Sequence, residues 1–394
     1  MSGHRSLCSL IGLSVAFIIG ALWPSVAQQP IRIGASIAIS GRDAIQGGYV
    51  RESYLLCQKH VNEKGGILGR PIEFVIRDDG SDPKAAAALY EQLITEDRVD
   101  AVMGPYGSPM TDAAADVTEK HRKLMVAPAA GTTSLWGKGR RYLVMVLSPL
   151  EAATAGTIDL AARNGLKTIA LINVETLPAR AVINGAIELA KKKGLEVVLH
   201  ETYPPGTTDF SAILNKVKAA KPDVLVVNYV PAEVIAMTRQ MMELDVNVKM
   251  YNATPGGSFL DYYKALGKTA EFVYAGSYWD PSLDYPGNRE FVAAYQKEFN
   301  HAPSFLSPAA YAGCQLFAEA ARRAGSLDSD KVREELLKLK TKTVFGDFAV
   351  DERGFQIGQR AVTIQWQDGK QVVVWPDDVA GGKPRFPTPP WSQR

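Results

Sequence analysis

The sequence predicts an α/β protein built as two doubly wound lobes, each around a mainly parallel sheet. Three observations carry this expectation. Short β-rich runs alternate with helical patterns almost without pause, and at this spacing alternation means right-handed βαβ units. The alternation breaks near Ser148-Pro149 and then restarts, so there are two such runs. After about residue 287 the order changes to successive helices followed by strands.

In the first run, strands are expected at 31–39, 72–76, 99–103, 123–127 and 142–146, with helices at 47–63, 83–96 and 109–121. The second run reads as helix 150–164, strand 168–173, helix 178–193, strand 195–200, helix 210–220 and strand 224–228. Helix 231–244, strand 248–252, helix 258–266 and strand 272–275 complete it. Two or three helices over 288–338 and strands near 346–350, 361–367 and 371–375 close the pattern. The boundaries carry ordinary helix chemistry. Asp82 before Pro83, Ser108 before Pro109 and Asp209 before Phe210 are N-cap candidates. Gly165 and Gly194 follow helical patterns, where a left-handed turn wants glycine. The tail from Pro376 is rich in Pro and Gly and is expected to be loosely held.

The N-terminus has the form of an export signal. His4 and Arg5 precede an apolar stretch from Leu7 to Gly20, and Ser25-Val26-Ala27 offers small residues for cleavage after Ala27. The apolar run is too short to span a bilayer, and Pro24 interrupts it. Gln28 would begin the mature chain and Cys8 lies too early, so no lipid anchor is expected. Lys and Arg total 44 against 42 Asp and Glu. Such balance gives no electrostatic footprint for nucleic acid or acidic lipid. Cys57 and Cys314 sit in helical patterns among apolar residues and are expected as buried small side chains, with a disulfide the alternative.

Two loops at strand ends stand out. Gly104-Pro105-Tyr106-Gly107-Ser108-Pro109 leaves a buried strand and enters a helix whose first-turn N–H groups can hold a carboxylate, with the Ser108 hydroxyl added. Ser108 is equally a candidate simply to cap its own helix. Pro128-Ala129-Ala130-Gly131-Thr132-Thr133-Ser134 repeats the logic after the next strand, with an ordinary serine/threonine turn as its plainer reading. Both lie at carboxyl ends of parallel strands, where open α/β sheets bind ligands. Asp78-Asp79 reads as turn chemistry rather than a metal or acid–base pair. His60, His121, His200 and His301 show no metal-ligand spacing, and no nucleophile elbow, Walker loop or dinucleotide fingerprint appears. Neither enzyme chemistry nor a cofactor is expected.

The run Val61-Asn62-Glu63-Lys64-Gly65-Gly66-Ile67-Leu68-Gly69-Arg70-Pro71, continuing through Arg77-Asp78-Asp79-Gly80-Ser81-Asp82-Pro83, resembles the periplasmic leucine/isoleucine/valine-binding protein family. So do residues 99–108, Lys221-Pro222-Asp223-Val224, Tyr311 and Trp366-x-Asp368-Gly369-Lys370. The resemblance implies the substrate-binding component of an ATP-driven importer, a type I fold with three hinge crossovers, and a cleft that closes on its ligand. It implies a first lobe of 28–147 with 278–347, a second of 148–277 with 348–378, and a tail of 379–394. It also implies a monomer whose partners are a small carboxylate ligand and an ABC permease–ATPase complex. A sensor for a membrane receptor and a periplasmic amidase are the alternatives.

By the same resemblance Ser108 matches a carboxylate-binding serine, in the loop that holds Tyr106, and Ala129 a carbonyl facing the ligand's ammonium, in the loop that holds Ala130. Gly131 stands where amino-acid binders carry threonine, with Thr132 adjacent, and Gln46 stands where an aromatic is common. Thr254-Pro255-Gly256-Gly257 falls where those binders present a glutamate. Glu175 is the candidate substitute, and Tyr229 and Tyr311 are candidate pocket walls. The expected ligand is an amino acid, an amide or a related small carboxylate; a missing counter-charge disfavours a buried ammonium, which within that class favours an aromatic or aliphatic acid without an α-amino group.

Overall fold

The computed structural model describes Met1 and residues 29–394, apart from the side chain of Tyr229. The expected export signal and its cleavage point lie outside the described residues. The first sheet comprises β1 (Ile31–Ile37), β2 (Ile72–Asp78), β3 (Ala101–Met103), β4 (Met125–Ala127) and β5 (Leu143–Met145), in the order β2-β1-β3-β4-β5. Every pairing in it is parallel. Helices α1 (Ala44–Glu63), α2 (Pro83–Thr95) and α3 (Ser108–Lys120) make the crossovers.

The second lobe begins with α4 (Ala155–Arg163), then β6 (Thr168–Val174), α5 (Leu177–Lys193), β7 (Glu196–Tyr203) and α6 (Ser211–Ala220). It continues through β8 (Val224–Tyr229), α7 (Pro231–Glu243), β9 (Met250–Pro255), α8 (Leu260–Leu266) and β10 (Tyr274–Ser277). The chain then returns to the first lobe with α9 (Asn288–Phe299), α10 (Leu306–Ala324) and α11 (Ser329–Lys338). A short hairpin of β11 (Thr341–Thr343) and β12 (Gly346–Phe348) precedes a last passage to β13 (Val362–Gln367) and β14 (Lys370–Trp375). β13 joins antiparallel to β10 and β14 antiparallel to β13, completing the order β14-β13-β10-β9-β8-β6-β7. The chain thus passes between sheets three times, after β5, after β10 and after β12.

Each lobe has its own core. In α1 the buried residues Val50, Tyr54, Cys57 and Val61 recur at helical spacing and form one apolar stripe. They meet α10, whose small residues are buried almost all round, and Gly313 lets that helix approach Pro128 closely, since a Cβ there would lie 3.1 Å from the proline. This packing corrects the expectation for the cysteines. Cys57 and Cys314 form a disulfide between α1 and α10, with Cα atoms 6.4 Å apart. Sequence cannot measure that distance, and only the approach of two helices far apart in the chain brings the sulfurs together. In the second lobe Ile172, Val227, Tyr251, Tyr262 and Trp366 share a core.

The tail is also a correction. Trp391 is buried and donates its indole N–H to the Val246 carbonyl at 2.7 Å. The Thr388 N–H reaches the Lys249 carbonyl at 2.9 Å, and Tyr274 donates its hydroxyl to the Arg385 carbonyl at 3.0 Å. A large aromatic and partnered backbone hold what its Pro and Gly content suggested would be loose. Turn chemistry at Asp78-Asp79 is as expected: Asp78 accepts the Gly80, Ile39 and Ser40 N–H groups, and Asp79 accepts from Ser36 and Ser81. Among the described residues no helix is long and apolar enough to cross a membrane.

Candidate functional site

A cavity of about 350 Å³ lies between the lobes, within the range of small-molecule sites. In the first sheet strand order reverses between β1 and β3, and in the second between β6 and β8. Open α/β sheets bind ligands at such reversals, beyond the carboxyl ends of the strands. The loops leaving β1, β3, β6 and β8 all contribute to the wall, at Arg42 and Asp43, Tyr106 to Met110, Thr176 to Ala179, and Asn228 with Val230. Leu147, Leu150, Tyr278, Phe305 and Leu306 make much of the remainder apolar.

The first lobe supplies an organised grip. Helix α3 starts at Ser108 itself, and the capping position belongs to Gly107, with φ +85° and no side-chain cap bond. Ser108 therefore does not spend its hydroxyl on its own helix, which removes the capping reading. Its Oγ accepts from the Thr132 hydroxyl at 2.9 Å, and both residues are only 2% exposed. The Ser108 O–H remains to donate into the cavity, beside the first turn of α3 with its unused N–H groups. A hydroxyl–carboxylate bond of this kind contributes roughly 1.5–3 kcal/mol. Tyr54 braces the loop by donating to the Gly104 carbonyl at 2.7 Å. The Gly107 N–H donates to the Ala129 carbonyl at 3.2 Å, and the Leu150 N–H to the Gly131 carbonyl at 2.9 Å. Gly131 tolerates no larger residue without movement, because a Cβ would lie 2.9 Å from the Ser148 carbonyl oxygen.

The second lobe faces this grip with another helix start. Thr176 occupies the capping position of α5 without capping it, and its hydroxyl is buried without a hydrogen-bond partner. Asn228 is 1% exposed, and its side-chain nitrogen is likewise unpartnered. Thr254 is saturated, donating to Asn252 and accepting the Gly276 N–H at 2.7 Å.

Charge on the wall is confined, among the described residues, to one ion pair, Arg42 with Asp43. Asp43 is the lining acid among the described residues, and Arg42 clamps both its oxygens at 2.9 Å. An ammonium in the cavity would find no free carboxylate. No histidine is among the described residues that line it.

The expected site residues divide accordingly. Tyr106, Ser108, Ala129 and Gly131 line the cavity. Thr132 acts through Ser108 rather than from the wall. Ala130 and Gln46 are buried in lobe 1 behind it, and Gly256 lies just beyond the lining residues Thr254 and Pro255. Glu175 is exposed, accepts from Thr202 at 3.1 Å and does not reach the cavity, because the chain turns inward only at Thr176. Tyr311 is turned to His60, whose Nδ1 lies 2.7 Å from its hydroxyl, and borders a separate cavity. Burial pushes that phenol up to about 12. The Tyr229 backbone ends β8, and its side chain lies outside the description. Thr176 and Asn228 escaped the sequence reading. Thr176-Leu177-Pro178 echoes Ser108-Pro109 and was a usable signal; Asn228 carries none.

The sequence model of the periplasmic binding protein family matches residues 30–371. The chain belongs to this family. It is a substrate-binding protein, and membership implies the periplasm. Periplasmic binding proteins similar to it include Leu/Ile/Val-binding protein homolog 7 of Brucella suis biovar 1, 26% identical over 96% of this chain and 99% of that one. The branched-chain amino acid transporter substrate-binding protein LivJ from Streptococcus pneumoniae, solved with isoleucine, is 25% identical with a TM-score of 0.80 and covers 88% of this chain and 100% of its own. The solute-binding protein of an ABC transporter from Rhodopseudomonas palustris BisB5, solved with 3,4-dihydroxybenzoic acid, is also 25% identical. Its TM-score is 0.78, over 87% of this chain and 95% of its own.

Proposed function

We propose that this binding protein captures a small carboxylate without an α-amino group, aromatic or apolar in its body, and delivers it to an ABC importer. One observation carries the reading. The cavity wall combines donors suited to a carboxylate with no unpaired acid for an ammonium, since Asp43 is held by Arg42 and Glu175 lies outside. An ammonium buried without a counter-charge costs several kcal/mol. The Ala129 and Gly131 carbonyls each already accept one backbone N–H, and what they offer an ammonium is a dipole rather than a counter-charge. The ligands of the two solved relatives bracket the choice, and the acid count favours the benzoate side.

The ligand's carboxylate sits at Ser108 and the first turn of α3. Closure of the second lobe over its other end gives the transporter a shape that reports occupancy. The protein acts as a freely diffusing monomer released by cleavage after Ala27.

A thermal-shift screen of the purified mature protein tests this, because a ligand that binds only the folded state raises the melting temperature. Benzoates and branched aliphatic acids are expected to raise it, and leucine and isoleucine are not. A rise confined to the α-amino acids overturns the proposal.

A further inference from the structure

The second lobe's wall holds polar groups that the protein itself does not use. Asn228 is the penultimate residue of β8, in register with Asn173 of β6, and Thr176 follows β6 by two residues. Two neighbouring strands therefore bring the two side chains to the same side of the cavity. The Asn228 nitrogen and the Thr176 hydroxyl are both buried and unpartnered, and both residues line the cavity. Between them begins α5, a helix of 17 residues with Pro178 in its first turn, whose opening N–H groups the helix does not satisfy. Leaving such groups dry costs about 1–3 kcal/mol each. An apolar ligand end would leave all of them orphaned.

We infer that Asn228, Thr176 and the first turn of α5 form a second subsite, which selects carboxylates carrying an oxygen acceptor at the end remote from Ser108. This rests on the reading of the cleft proposed above. Carboxamide N–H, hydroxyl and backbone N–H are all donors, and the helix start adds partial positive charge. An ammonium is repelled there, whereas a ring hydroxyl, keto oxygen or second carboxylate is held. The ligand is thus bipolar, with acceptors at both ends and an apolar middle against Leu147, Leu150 and Phe305. A site built to hydrogen-bond a substrate group rejects the analogue lacking it far more strongly than an apolar pocket distinguishes sizes.

Calorimetric titration of the full mature protein with matched pairs tests the subsite. The pairs are para-hydroxybenzoate against para-methylbenzoate, and levulinate against isocaproate, with benzoate as reference. In at least one pair the oxygen-bearing acid is expected to bind about tenfold tighter. Asn228→Leu and Thr176→Val are each expected to shrink that ratio, because the loss falls on the oxygen-bearing acid of the pair, and an unchanged melting temperature of the ligand-free protein shows that the fold is kept. Terephthalate identifies the acceptor: tighter binding than para-hydroxybenzoate means a second carboxylate, weaker binding a neutral oxygen. Benzoate binding with no preference in either pair, or a ratio untouched by both substitutions, overturns the subsite alone. Failure of every acid while leucine binds overturns the parent reading as well.

Discussion

The two walls of the cleft use the same local device in opposite states. In the first lobe, the loop into α3 has its polar groups wired. Thr132 holds Ser108, Tyr54 holds Gly104, Gly107 holds Ala129, and a disulfide ties α1 to α10 behind them. In the second lobe, at an equivalent helix start, the Thr176 hydroxyl and the Asn228 side-chain nitrogen have no hydrogen-bond partner. A wired donor set is pre-organised, so binding there costs little ordering. An unwired set is satisfied only when the ligand arrives. On the proposed reading of the cleft, the difference implies an order of events in which the carboxylate is fixed first and the second lobe selects afterwards.

The largest effect that would break the contrast is loss of the disulfide. Replacing Cys57 and Cys314 by Ala is expected to destabilise the protein by roughly 3–5 kcal/mol, since the bond closes a very long loop. Denaturant titration measures it, and a loss below about 1 kcal/mol would mean that helix packing alone rigidifies lobe 1. Ser108→Ala comes next. It is expected to weaken benzoate binding by about tenfold to a hundredfold, and by the same factor for para-hydroxybenzoate, because both share the carboxylate. Unequal factors would mean that the two walls are not separable. Thr132→Val removes only the bond that orients Ser108, and about a fivefold loss of benzoate affinity is expected by calorimetry.

The smallest effect is one of pH. The Gly80 N–H, with Ser40 and Ile39, holds the Asp78 carboxyl below its ordinary value of 3.8. An acid whose folded pKa is depressed contributes stability above its unfolded pKa and loses it as pH falls through the folded one. Asp78→Asn should therefore melt lower than the parent at neutral pH, and at the same temperature well below pH 3.8. A difference that persists in acid would trace the loss to loop geometry rather than charge.

The sequence made the fold legible because βαβ alternation is written in local pattern, and nearly every strand and helix appears where its periodicity placed it. The brief β11 escaped, being three residues of mixed exposure. The first wall was legible for the same local reason, since Gly107, Ser108 and Pro109 announce a helix start. What stayed hidden depended on distance in the chain. Cys57 meets Cys314 across 257 residues, Tyr311 turns to His60 instead of the cleft, and Trp391 docks beneath Val246. Thr176 shows the limit most clearly. Its neighbour Glu175 carries the charge that suggests a ligand contact, yet one residue of register puts the acid in solvent and Thr176 on the cavity wall.

The Gly131 loop grips more than a ligand. Its carbonyl takes the Leu150 N–H, its neighbour Thr133 donates to Glu151, and both partners belong to the first passage between lobes. On the far side that passage lies so close to Gly185 and Gly276 that a Cβ on either would sit about 2 Å from a carbonyl oxygen, of Glu151 and Ala153 respectively. The axle of this machine is thus clamped backbone to backbone, with its bearing on the ligand's seat. Movement about that passage, in the closure proposed above, is thus coupled to the seat largely through main chain, and bulk added at any of these three glycines is expected to disturb the hinge along with the fit.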